Sequence, residues 1–71
     1  MTGKEILSYV SSLYQLGELS KDEKNEIVEI TKANMRTGDF SQIIQKLNQL
    51  EFKSETAKRL KNDLISYICE N

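Results

Sequence analysis

The chain has 71 residues, with 10 Lys and Arg against 11 Asp and Glu and no histidine. A chain this short builds one core and buries only about 60% of its unfolded surface, which excludes a second domain. The balanced charge supplies no overall field for nucleic-acid phosphates, and the missing histidine removes the commonest general base.

Proline is absent and glycine occurs three times, so little breaks a helix, and Val, Thr and aromatic residues are too sparse to favour strands. An all-α domain is predicted. The opening stretch MTGKEILSYVSSLYQ places polar residues every few positions, without the apolar run of a signal peptide or a membrane span. The single cysteine, Cys69, has no partner for an internal disulfide and no histidines with which to hold zinc. The expectation is a soluble protein of a reducing, cytoplasmic compartment, and Met1 fits a whole protein.

In chain order, Ile6, Leu7, Val10, Leu13 and Tyr14 recur at three- and four-residue steps and predict a first helix over Lys4 to Leu16. Gly17 then offers the left-handed conformation common just past a helix end. Ser20 and Glu23 have the spacing of a capping box and start a second helix at Lys21. This helix turns Ile27, Val28, Ile30 and Met35 inward, runs to about Arg36, and leaves Asp22, Glu23, Glu26 and Glu29 on the opposite side. Gly38 and Asp39 supply the next stop and cap. A third helix from Asp39 to about Leu50 has the tightest stripe, Phe40, Ile43, Ile44, Leu47 and Leu50. Ser54 caps a fourth, which buries Ala57, Leu60, Leu64, Ile65 and Ile68. Four short amphipathic helices with short connections predict two helical hairpins packed together.

No catalytic constellation emerges. Cys69 sits near the chain end without an activating partner, and no serine lies in a G-x-S-x-G setting. The chain is read as a non-enzyme without cofactor or metal. Lys53, Lys58, Arg59 and Lys61 lack the interleaved exposed aromatics on which single-stranded bases stack, so a role beside nucleic acid ranks third. Asp22, Glu26 and Glu29 share an outer face that serves either as a solvated surface or as a site for basic residues on a partner.

The stretch GELSKDE (17–23) has two readings. Gly17, Ser20 and Glu23 serve as a helix stop and a capping box, or they are the second half of a helix–loop–helix calcium hand, G-x-L-S-x-x-E. With Leu19 central to one loop, "ANMRTGDF" ending the second helix, Phe40, Ile43, Ile44 and Leu47 spaced along the third, and Phe52 central to the other loop, the whole chain resembles one lobe of the calmodulin and myosin light chain family. On that resemblance, the fold is that of a degenerate EF-hand pair. The earlier ligand positions of the first loop then fall on Ser12, Tyr14 and Leu16, and Thr56 stands where the second loop would end in Glu. Neither loop offers the oxygen donors calcium needs.

The resemblance therefore implies a calcium-independent, single-lobe light chain that clasps an amphipathic, basic helix of a larger protein, such as an IQ-type segment of a class I myosin heavy chain. The expected partner-binding residues are Met35, Ile44, Leu47 and Ile68 on the groove, with Glu26 and Glu29 facing basic residues. A second resemblance rests on the "G-x-L-S" connection, the "GDF" turn and "RLKNDLISYI". It points to the helical domain shared by the steroid receptor RNA activator protein and a COPII outer coat subunit, and implies a closed interaction domain that uses its outer surface.

Overall fold

The computed structural model describes residues 3–70. Four helices follow one another: α1 Gly3–Gln15, α2 Lys21–Ala33, α3 Ser41–Gln49 and α4 Glu55–Cys69. The described residues contain no strand, and the chain is all-α as its composition predicts. Each helix packs against its neighbour in the chain and α4 closes on α1, while the diagonal pairs stay apart across the core.

The helix ends follow local chemistry. Gly17 takes a φ of +77°; its N–H bonds to the Tyr14 carbonyl at 3.0 Å, and the N–H of Glu18 reaches back to Leu13 at 3.2 Å. These are the paired bonds of a Schellman turn, which satisfy the last carbonyls of α1. At the start of α2 the capping box is complete, because Glu23 N–H donates to Ser20 Oγ at 3.1 Å and Ser20 N–H donates to Glu23 Oε1 at 2.8 Å. Ser54 Oγ likewise accepts the N–H of Ala57 at 3.0 Å and opens α4.

Two boundaries differ from the sequence reading by more than one residue. The second helix ends at Ala33, three residues short of Arg36. Asn34 explains this: its side-chain Nδ2 donates to the Ile30 carbonyl at 2.8 Å, the acceptor its backbone N–H also uses, and the chain tightens into a turn that Gly38 leaves with a φ of +73°. The third helix begins at Ser41, not Asp39. Asp39 Oδ1 instead accepts both the N–H and the Oγ–H of Ser41, at 3.2 and 2.8 Å, which holds the turn from one residue further out. Phe40 takes the cap position without a side-chain bond and buries its ring.

The core gathers Ile6, Val10 and Leu13 from α1, Ile27 from α2, Ile43 and Leu47 from α3, and Ala57 and Leu64 from α4. Phe40 and the two loop residues Leu19 and Phe52 join them. Val28, Ile30, Ile44, Leu60, Ile65 and Ile68, all expected on buried faces, are only partly covered, as the high surface-to-volume ratio of a small domain requires. Among the described residues Thr31 is the one buried polar residue, and its hydroxyl donates to the Ile27 carbonyl at 2.8 Å. A side chain one turn from its own acceptor needs no partner from another helix.

Two substitutions test this account by urea denaturation. Ser20→Ala removes the cap and is expected to cost about 1 kcal/mol; an unchanged midpoint would show that the capping box contributes nothing to the folded state. Phe40→Ala empties a core site and is expected to cost about 3 to 5 kcal/mol.

Candidate functional site

The α1–α2 and α3–α4 loops meet through one carboxylate. Glu18 Oε1 accepts the backbone N–H of Lys53 at 3.0 Å, and its Oε2 accepts that of Ser54 at 3.1 Å. Those amides lead into α4, whose first N–H groups have no partners inside the helix and carry its positive dipole end. The two backbone donors hold the Glu18 carboxyl below its ordinary pKa of 4.5, outweighing the effect of partial burial. Leu19 and Phe52, the central residues of the two loops, are both buried beside this tie. The sequence reading did not single out Glu18, because a contact across 35 residues leaves no local spacing to read.

Surface side chains bridge two of the helix seams. Lys46 on α3 pairs with Glu26 on α2. Across α1 and α4, the Tyr9 and Tyr67 rings lie 6.4 Å apart, and a hydrogen bond to the Glu5 carboxylate raises the Tyr67 phenol above its ordinary pKa of 10.0. Within α4, Lys58 approaches Glu55 at 3.7 Å. Among the described residues no group of His, Cys, Asp and Glu is arranged to hold a metal ion, and the Cys69 thiol is free and exposed.

The six residues expected to contact a partner are dispersed. Leu47 is fully buried and reaches a partner only if the helices part. Ile44 and Ile68 are half-buried, on α3 and α4. Met35 is 42% exposed, but it is not turned into the core as its place in the α2 stripe predicted. It lies over the start of α1, where a Cβ added to Gly3 would sit 2.5 Å from its Cε. Of the two acids, Glu26 is engaged with Lys46, so it does not present a free charge beside the exposed Glu29.

Among the described residues, depressions open beside α4 and between α1 and α2. One of about 470 Å³ lies between the end of α3 and α4, with Phe52 at its base and Lys58, Lys61, Asn48 and Asn62 around it. Lys61 Nζ is 5.9 Å from the centre of the Phe52 ring. The other, about 270 Å³, follows the seam of α1 and α2 and is lined by Leu7, Val10, Ser11 and Val28, with Lys24 and Lys32 on its rim. Lys24 Nζ stands 4.6 Å from the centre of the exposed Tyr14 ring. Lys24, Val28 and Lys32 recur every fourth residue along one face of α2, a pattern the helical period alone could have revealed.

The lowered pKa of Glu18 predicts a pH signature. A carboxylate depressed by folding contributes stability above its unfolded value, near 4.5, and loses it as pH falls through the folded value. Glu18→Gln is therefore expected to lower the urea midpoint at pH 7, with the gap to wild type closing below pH 4.5 as the wild-type carboxyl takes up its proton. A gap that stays constant with pH would sink this assignment. Comparison of the chain with protein-family models, curated proteins and solved structures finds no match.

Proposed function

We propose that this chain is a calcium-independent protein-binding module, a single-lobe, light chain-like subunit that takes an amphipathic, basic helix of a larger protein such as a class I myosin heavy chain. The observation that carries the reading is the Glu18 tie between the two loops. It couples the two helical hairpins at one end, with Leu19 and Phe52 buried at the joint, and in this reading the helices splay about that joint. On the same reading half-buried Ile44 and Ile68 anchor the incoming helix, and fully buried Leu47 joins them once the hairpins open. Exposed Glu29 supplies a charge for a basic partner. The absence of catalytic groups and a cytoplasmic location belong to the same proposal. No helix among the described residues is long and apolar enough to cross a membrane.

Opening has a definite energetic requirement. Apolar surface returned to water costs about 25 cal/mol per Å², so the incoming helix must cover what Ile43 and Leu47 expose. A second reading, a closed domain that binds through its outer surface, is favoured by the complete burial of Ile43 and Leu47. The Lys46–Glu26 pair across α2 and α3 supports it too.

Titration with a synthetic IQ-type basic helical peptide tests the first reading. It is expected to bind equally with and without calcium, to shift the amide resonances of Ile43 and Leu47, and to lose about 1 to 2 kcal/mol of affinity with Ile44→Ala. Binding that leaves the Ile43 and Leu47 environments unchanged would select the closed domain. Saturable calcium binding at micromolar concentration would contradict both readings.

A further inference from the structure

The seam of α1 and α2 carries a surface that the light chain reading does not use. Its floor is apolar, formed by Leu7, Val10 and Val28, and Ser11 completes the wall. Both charged groups on its rim are lysines, and no carboxylate lines it. At about 270 Å³ it falls below the usual ~300–1,000 Å³ of a small-molecule pocket. That volume suits the anchoring side chain of a larger partner better than a complete ligand. Gly3 and Met35 extend the seam beyond Lys32, since the Met35 side chain lies over the Gly3 backbone with 42% of its surface open.

The spacing is equally specific. Lys24 and Lys32 are separated by eight residues of α2 with Val28 midway, which puts the two positions about 12 Å apart along the helix axis. A helix lying alongside meets this pattern with an apolar residue flanked four residues to either side by Glu or Asp, all on one face. Lys24 is also held in place, because its ammonium rests against the Tyr14 ring. A charge already positioned loses less side-chain freedom when a carboxylate docks.

We propose that this groove is a docking site for an acidic amphipathic helix, anchored by an apolar side chain between Leu7 and Val28 and flanked by carboxylates on Lys24 and Lys32. The proposal rests on the reading of the chain as a protein-binding module and adds a second face of opposite charge preference. Asp22 and Glu29 lie elsewhere around α2, and Glu26 turns to Lys46, so α2 separates its lysines and acids onto different surfaces. A basic helix is repelled at the groove. An acidic one gains both apolar burial and charge contacts.

The test uses the full chain and two synthetic helical peptides of identical apolar face, one with Glu and one with Lys at the two flanking positions. The Glu peptide is expected to bind saturably, more weakly as salt rises, and to shift the resonances of Leu7, Ser11 and Val28. Reversing both rim charges, Lys24→Glu with Lys32→Glu, should weaken it about tenfold and strengthen the Lys peptide in return. If that double variant does not fold, Lys24→Gln with Lys32→Gln should weaken the Glu peptide by a smaller factor and leave the Lys peptide without the full reversal. No binding of the Glu peptide, or binding indifferent to both double variants, overturns the groove proposal. So does concentration-dependent self-association through this face, or binding to anionic lipid vesicles with none to the peptide. If the groove fails while the IQ-type peptide still shifts Ile43 and Leu47, the light chain reading stands. If the Glu peptide binds at the groove while the IQ-type peptide does not bind at all, that reading falls and the groove remains.

Discussion

The arrangement of this domain depends on the Glu18 carboxylate reaching across to the amides of Lys53 and Ser54. Each helical hairpin alone has an apolar stripe and no partner to cover it. The stripes meet in one core, and the joined loops hold Leu19 and Phe52 at its end. The interaction also settles a local problem, since the start of α4 presents backbone donors that must find acceptors. Ser54 Oγ takes one of them, and Glu18 answers two more just before the helix. A charged acceptor makes these bonds stronger than neutral ones, and the lowered pKa is the same fact expressed in protons.

With the ends coupled in this way, the remaining seams are held lightly. Lys46–Glu26 and the Tyr67–Glu5 contact bridge neighbouring helices at the surface, where such interactions contribute little individually. The domain therefore combines a tightly specified joint with helix faces that are only partly covered. Ile68, Leu60 and Ile65 retain contact with both core and solvent. Such partial burial belongs to any small domain with too little chain to cover every apolar side chain.

The division of charge around α2 links its sequence to both proposed surfaces. One flank meets α1 with Lys24, Val28 and Lys32, and another meets α3 with Glu26 against Lys46. Asp22 and Glu29 are left exposed to solvent. A partner approaching from the α1 side meets positive charge, although the chain as a whole carries a net charge of −1. Net charge governs long-range encounter; the arrangement of charges within about a Debye length governs which face is used.

By itself the sequence determined the helices and the signals that start and stop them. Ser20, Glu23, Ser54 and Gly17 act on backbone groups within a few residues, so their spacing along the chain already contains their geometry. The three-and-four-residue recurrence of Ile6, Val10 and Leu13, or of Ile43 and Leu47, likewise contains the buried face. Where two local signals compete, the outcome was less legible, as when the Asn34 amide shortened α2. Only the tertiary structure decided the rest of the site. Glu18 meets amides 35 and 36 residues away, Glu26 is drawn to Lys46, and Met35 comes to rest over Gly3. Each of these depends on which helix lies beside which, and periodicity within one helix specifies a face without naming the neighbour that covers it.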